Sequence, residues 1–228
     1  MQAVILAAGL GTRMGELTRE TPKPMLKIAD RTLLERNLEA LPDAVDEIVL
    51  VVGYLKEKIR EHLGSNFGSR KITYVLQEEL KGTGHALSLC KDVLRGRFLV
   101  IMGDDLYCKA DLEKLAELPL GILVVELQND DLAQERQAIV KVDENGGLVD
   151  IIERQPAPKG TLVNTGAYAL DERFFDYPLV SAGMPANELG LPQTFLQLAR
   201  DGIKIAVVKA TWWHKVGAPK DLVGGMAE

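Results

Sequence analysis

Residues 6–14 read Leu-Ala-Ala-Gly-Leu-Gly-Thr-Arg-Met and follow directly on the apolar run Ala3-Val4-Ile5-Leu6. Small residues at Ala7, Ala8, Gly9 and Gly11 let a backbone turn approach a ligand closely, and successive N–H groups in such a turn form a concave anion site. With Arg13 beside it, the natural guest is a phosphate. A Walker-type loop would need Gly-Lys-Ser/Thr after four spacers, and Thr12-Arg13 stand there instead. A dinucleotide fingerprint would need a third glycine where Met14 stands and a helix at once, whereas Pro22 and Pro24 follow soon. Two readings of this stretch stay open: a turn that lays N–H groups around a triphosphate, and a tight turn with a solvated arginine.

Lys23 favours the first. It lies between Pro22 and Pro24. Proline fixes its own φ and biases the preceding residue toward extended geometry, so the segment is stiff and the lysine is aimed. A second cation a dozen residues after a phosphate turn suits a polyphosphate. Further on, the apolar run ending at Met102 meets Gly103, Asp104 and Asp105, and the end of a buried strand is where open α/β sheets place ligands.

The elements that must position these residues alternate along the first 125 residues. Short runs rich in Val, Ile and Leu at 3–8, 47–52, 71–76, 98–102 and 121–127 predict parallel strands buried on both faces. Between them, Thr32 and Glu35 predict a capping box for a helix ended by Pro42, and Leu55, Ile59 and Leu63 form a second stripe stopped by Gly64. Ala86, Cys90 and Leu94 mark a third helix, with Thr83 as a candidate cap, and Asp111 is the expected cap of a fourth. This β-α-β-α rhythm predicts a doubly wound α/β fold. After residue 130 the pattern changes to strands at 137–142, 147–153 and 162–170, a helix at 188–199, a strand at 203–209 and a short helix beginning near Pro219. With no linker, repeat or low-complexity segment, we expect one domain over 1–228, its second half a lobe packed on the first.

Hydrophobic residues make up 46% of the 228 and charged residues 26%, with a net charge of −6. That composition can bury a sizeable core and argues against a general nucleic-acid or membrane-surface binder. The start shows no secretory pattern and no run approaches a membrane span, so a cytoplasmic protein is expected. Cys90 and Cys108 lie in no metal or redox spacing and read as two buried, reduced thiols. The oligomeric state stays open, a homo-oligomer included.

The turn "LAAGLGTRM" followed by "PKPML" at 22–26 resembles the signature of the sugar-1-phosphate nucleotidyltransferases, and the resemblance runs through most of the chain. It implies a Rossmann-like, mostly parallel sheet with a nucleotide-binding part at 1–130 and a C-terminal sugar-binding lobe at 131–228. The reaction it implies joins a sugar 1-phosphate to a nucleoside triphosphate and releases pyrophosphate, with Mg2+ as cofactor. Nucleotide contacts would come from Leu6, Ala7, Ala8, Gly9, Gly11 and Thr12. In "LQEELKGTGHAL" at 76–87, Gln77 would read a pyrimidine edge while Gly82 and Thr83 close on the base, which favours UTP or dTTP. Arg13, Lys23 and Asp104 would be catalytic, with Asp104 also the magnesium ligand. Asp105 reads as a loop or cap residue. In the lobe, "IIERQP" at 151–156 would offer Glu153 and Arg154, and "VNTGAY" at 163–168 would offer Asn164 and Gly166, to the sugar phosphate, with Gly103 nearby.

One segment departs from the pattern. The family's Trp-x-Asp-Val-Gly-Thr-Pro aligns with Trp213-His214-Lys215-Val216-Gly217-Ala218-Pro219, so Lys215 stands where a second magnesium ligand is implied. A protonated lysine cannot ligate a cation. Lys215 either replaces a cation electrostatically, or His214 or Asp105 completes a shifted metal site, or the protein binds nucleotide without efficient turnover. The alternatives to the transferase are therefore a sensor of nucleotide or nucleotide sugar and a CTP-dependent phospho-alcohol cytidylyltransferase. The chain ends at Glu228 without the acyltransferase repeats some relatives carry, so acetyl transfer is not expected.

Overall fold

The computed structural model describes residues 1–128, 136–183 and 187–223. Its five early apolar runs form β1 (Gln2–Ala7), β2 (Glu47–Val52), β3 (Arg70–Leu76), β4 (Arg97–Met102) and β5 (Gly121–Glu126). β1 pairs in parallel with both β2 and β4, and β2 with β3. Along β1, alternate side chains serve opposite faces, as the two-residue strand period requires. Val4 and Leu6 join one apolar cluster with Ala86, Leu87 and Phe195, while Ala3 and Ile5 join another with Leu34, Leu38 and Leu112.

Helices α1 (Leu33–Ala40), α2 (Lys56–Leu63) and α4 (Lys109–Glu117) supply the second cluster, and α3 (Thr83–Ser88) and α5 (Leu191–Arg200) the first. The capping box on α1 forms as expected: Glu35 N–H donates to Thr32 Oγ1 at 3.1 Å and Thr32 N–H to Glu35 Oε2 at 2.8 Å. Helices on both faces of a largely parallel sheet core make the doubly wound α/β fold.

The second half completes the sheet from within. β6 (Arg136–Val142) and β7 (Leu148–Pro156) form an antiparallel hairpin. β8 (Leu162–Asp171) runs antiparallel between β4 and β5, with Leu170 opposite Phe98 and Tyr168 opposite Ile122. β9 (Ala206–Lys209) adds in parallel to β5. Residues on both faces of β8 are buried, which suits an interior strand. No helix among the described residues is long and apolar enough to cross a membrane.

Several local expectations are corrected. Asp111 does not cap α4: Cys108 holds that position, and the buried Asp111 carboxylate instead accepts from Thr211 Oγ1 at 2.9 Å. Thr83 is the first helical residue of α3 rather than its cap, which is Gly82; its Oγ1 accepts the Leu191 N–H at 3.1 Å and so caps α5. α3 is shorter than its apolar stripe, and Cys90 and Leu94 are buried in the turns that follow it. α5 starts at Leu191, because Leu189–Gly190 pair as a short strand with Val180–Ser181. Residues 203–205 precede rather than form the last strand. Cys90 is buried, and burial pushes its thiol up to about 12, but Cys108 is only half-buried.

Candidate active site

β1 ends at Ala7, and the chain leaves the sheet through Gly9 and Gly11 into a 3₁₀ segment, Thr12–Thr18. Gly11 has φ +64°, and a Cβ there would lie 2.9 Å from the Lys23 Cβ, so the turn and the lysine pack closely only because this residue is glycine. The turn is held from below, with Thr18 Oγ1 donating to Gly11 O at 3.0 Å. Leu6, Ala7, Ala8, Gly9, Gly11 and Thr12 line one wall of a cavity of about 350 Å³. Gln77, Leu80, Gly82 and Thr83 line the same cavity. Gln77 is buried, and its Nε2 donates to Gly82 O at 3.1 Å and lies 3.2 Å from His85 Nδ1, so the amide folds its own loop into shape.

Lys23 and Asp104 form the floor. Pro22 is extended and Lys23–Met25 make one 3₁₀ turn, which drives the Lys23 side chain inward until it is 5% exposed. Its Nζ reaches Asp104 Oδ2 at 2.7 Å. Asp104 stands beyond the end of β4, and the loop carrying it is pinned by Gly103 N–H to Leu6 O at 2.9 Å. Gly103 is buried at that contact and lines neither this cavity nor the lobe-side one described below. Asp105 Oδ1 accepts the Val216 N–H at 3.0 Å. Burial and the neighbouring Asp104 charge push the Asp105 carboxyl up to about 7, against the opposing pull of Lys23 and Lys215.

A second cavity, of about 440 Å³, opens on the lobe side and shares Met102, Thr83 and Glu188 with the first. Two irregularities in the sheet build it. Between β6 and β7 the register slips so that Glu153 and Arg154 stand opposite one residue, and Arg154 adopts φ +57°. In β8 the pairing passes from Asn164 to Ala167, leaving Thr165 and Gly166 bulged. Bulges re-aim side chains beside active sites, and here they put Glu153, Arg154, Asn164 and Gly166 on one cavity wall. Glu153 Oε1 accepts from Gln193 Nε2 at 3.2 Å, and burial raises the Glu153 carboxyl above its ordinary value. Arg154 pairs with Glu188 at 3.4 Å. Asn164 donates to Tyr168 Oη at 2.6 Å and accepts the Gly166 N–H at 2.9 Å.

A third space, of about 180 Å³, is lined by Gly11, Thr12, Arg13, Lys23 and Asp104, together with Gly217, and shares Gly11, Thr12, Lys23 and Asp104 with the first cavity. Arg13 also lines the lobe-side cavity. Two cations and one carboxylate thus face a single junction.

Lys215 and His214 separate in space. Lys215 lines the lobe-side cavity, its Nζ donating to Gln137 Oε1 at 3.2 Å. The His214 ring nitrogen Nε2 lies 2.8 Å from Asp221 O, and His214 lines neither cavity. Sequence reasoning missed Gln137, Tyr168, Gln193 and Trp213, which line the same cavity. Tyr168 and Trp213 stand inside the segments 163–168 and 213–219 singled out above but were given no role there; Gln137 and Gln193 lie in no such segment. Gln137 Nε2, Gln193 Oε1 and Trp213 Nε1 are buried polar atoms without a protein partner, a signature of sites that complete their bonds with ligand or water. Among the described residues, no group of three or more His, Cys, Asp or Glu converges as a metal cluster.

A family model for nucleotidyl transferases matches residues 2–228. The chain is 33% identical over 224 residues to the bifunctional protein GlmU of Methanocaldococcus jannaschii, covering 98% of this chain and 53% of that protein. It thus spans about half the length of the curated relatives it first matches. It is 30% identical over 230 residues to the UTP–glucose-1-phosphate uridylyltransferase AglF of Haloferax volcanii, covering 97% of this chain and 93% of that one. A crystal structure of UDP-glucose pyrophosphorylase with UDP-glucose superimposes with a TM-score of 0.79 at 21% identity, over 97% of this chain and 95% of that one, which shows the shared fold.

Proposed function

This chain belongs to the nucleotidyl transferase family, beside the sugar-1-phosphate nucleotidyltransferases, and on that premise we propose that it joins a nucleotidyl group from UTP or dTTP to a sugar 1-phosphate. The observation that carries the reading is the space lined by Arg13, Lys23 and Asp104, which shares Lys23 and Asp104 with the glycine-walled cavity and Arg13 with the polar lobe-side cavity. The Haloferax relative is named for UTP and glucose 1-phosphate, which supports a uracil or thymine donor here. The polar lining at Glu153 and Asn164 favours a sugar acceptor over a simpler phospho-alcohol.

In this reading the nucleotide lies along the glycine turn with its base between that turn and the Gln77–Thr83 wall. The sugar 1-phosphate occupies the lobe-side cavity. One of its phosphate oxygens attacks the α-phosphorus in line; the new P–O bond forms as the bond to the β-phosphate oxygen breaks, and pyrophosphate departs with that electron pair. The nucleophile is already anionic near neutral pH, so no protein base is needed. The work of the site is to bring anions together and stabilise spread charge. Arg13 steadies the leaving pyrophosphate, Lys23 draws the α-phosphate to the junction, and Glu153 and Asn164 hold sugar hydroxyls. Lys215, steadied by Gln137, adds positive charge beside the incoming phosphate.

The residues present fit a divalent cation carried in by the nucleotide. Magnesium takes one or two carboxylates and fills its remaining positions with phosphate oxygens and water. The Asp104 side chain is 36% exposed at the junction and offers one such carboxylate. When bound, the ion would supply charge neutralisation of the phosphates. Lys215 cannot serve as a second ligand while protonated, His214 is turned to Asp221 O and Asp105 Oδ1 is taken by the Val216 N–H, so Asp104 would be the principal protein ligand.

The test is pyrophosphate release with magnesium, crossing UTP, dTTP, CTP, GTP and ATP with a panel of sugar 1-phosphates. Release confined to one or two pairs, with matching nucleotide sugar, supports the reading. Silence with every pair, while nucleotide still binds, makes the protein a sensor.

A further inference from the structure

Two separate loops contribute to the cavity walls, the first to both cavities and the second to the lobe-side one, and one buried hydroxyl joins them. The first loop, Met102–Tyr107, follows β4 and carries Asp104. The second is the bulge of β8 at Thr165–Gly166, flanked by Asn164. Tyr107 is 2% exposed, and its Oη donates to Thr165 O at 2.9 Å while accepting the Met102 N–H at 3.3 Å. Gly166 rests on the same pair: a Cβ there would lie 2.7 Å from Met102 Cγ and 3.6 Å from Tyr107 Oη. On its other side the first loop is anchored to α1, where fully buried Asn37 donates through Nδ2 to Met102 O at 3.2 Å and Asp105 O at 2.8 Å. Trp213 pairs with Tyr107 as a short antiparallel strand and also lines the lobe-side cavity.

These bonds make the Asp104 loop a fixed element and the β8 bulge a second element referenced to it. The bulge is the less constrained of the two, because pairing with β5 lapses at Thr165 and Gly166. Thr165 retains a hold on β5 through Oγ1, which donates to Leu123 O at 2.9 Å. Its backbone carbonyl is held by Tyr107. Removing the phenolic hydroxyl while keeping the ring would therefore leave both loops folded but free the bulge to shift against Asp104.

We propose that Tyr107 is a positioning residue that sets the separation between the nucleotide at the Asp104 loop and the acceptor at the β8 bulge. The proposal rests on the transferase reading above. In-line displacement is sensitive to such spacing, since a misplacement of about 1 Å can cost on the order of a hundredfold in rate.

The test is Tyr107→Phe in the full chain, with rates expressed per nucleotide-binding site, counted by titration with UTP or dTTP. The expected result is a kcat about 10- to 100-fold lower and a raised acceptor KM, with the nucleotide dissociation constant within about twofold of the parent. A purely structural tyrosine would lower the melting temperature and the number of sites but not the rate per site, and that result overturns the proposal. Replacement of Tyr107 by 4-fluorophenylalanine keeps the ring and fills the hydroxyl's place but cannot donate to Thr165 O. It should lose rate per site as the Phe variant does, and it carries the test if the Phe variant does not fold; parental kinetics there overturn the proposal. A parent protein silent with every substrate pair overturns the transferase reading and this one with it, whereas an active parent with an unchanged Tyr107→Phe overturns this one alone.

Discussion

Lys23 Nζ and Asp104 Oδ2 lie 2.7 Å apart, the lysine side chain 6% exposed and the aspartate 36%. The pair joins the segment after the glycine turn to the loop after β4, and it lines both the glycine-walled cavity and the space that holds Arg13. Lys23→Met and Asp104→Asn should each lower kcat by about 10²–10³, the cost of losing one major electrostatic contact in a transition state. Because the two act as a unit, the double variant should be within about tenfold of the worse single variant. Steady-state rates of the three proteins check this, and a Lys23→Met enzyme of normal rate would remove lysine from the mechanism.

Lys215 gives a prediction specific to the acceptor. It lines the lobe-side cavity and is tied to Gln137. Lys215→Met should raise acceptor KM about tenfold or more, consistent with loss of a charge-assisted hydrogen bond, while nucleotide binding measured by calorimetry changes little. Gln137→Leu should move acceptor KM the same way by a smaller factor. Equal effects on both substrates would place Lys215 elsewhere in the reaction.

Glu153 carries a pH prediction. Burial raises its carboxyl above the ordinary glutamate value. Below that ordinary value the group is protonated in folded and unfolded chains alike; as pH rises through the folded value, ionisation inside the protein costs stability. Glu153→Gln keeps an oxygen for the Gln193 amide and removes that cost. The melting temperature of the variant relative to the parent should therefore climb from pH 4 to pH 8, while acceptor KM rises. A difference independent of pH would show that the carboxylate titrates normally.

Gly166 combines φ +82° with close contact to Met102. Gly166→Ala should cost about 1–2 kcal/mol, the penalty for placing a side chain in left-handed backbone, and should also crowd the acceptor. Chemical denaturation and acceptor KM read the two effects separately. Unchanged stability would mean that the bulge relaxes at no cost.

Much of this site could be read before folding. Continuous Val/Ile/Leu runs told of strands buried on both faces, and the turn of small residues before Arg13 and the proline-clamped Lys23, singled out together, do line one space with Asp104. The lobe was less legible. Register slips at Glu153–Arg154 and Thr165–Gly166 depend on how strands pair, and local composition does not record pairing. Gln137 and Gln193 reach the acceptor cavity from a strand and a helix distant in sequence, so neither stood out. Asp111 and Thr83 have the chemistry of caps, but tertiary partners claimed them: Thr211 for the carboxylate and the start of α5 for the hydroxyl.

The place of β8 also bears on how the chain acquires its fold. Among the described residues, β5 pairs with β8 and β9 alone, and one edge of β4 is closed by β8. A nascent chain that has emerged only as far as β5 therefore holds one open sheet edge and one strand without partners until residues 162–171 arrive. Such pairings are distant in sequence, and their closure entropy must be met before they reward the chain. Folding should wait on late synthesis, and until then the N-terminal half would present an unpaired β4 edge of the kind that invites aggregation.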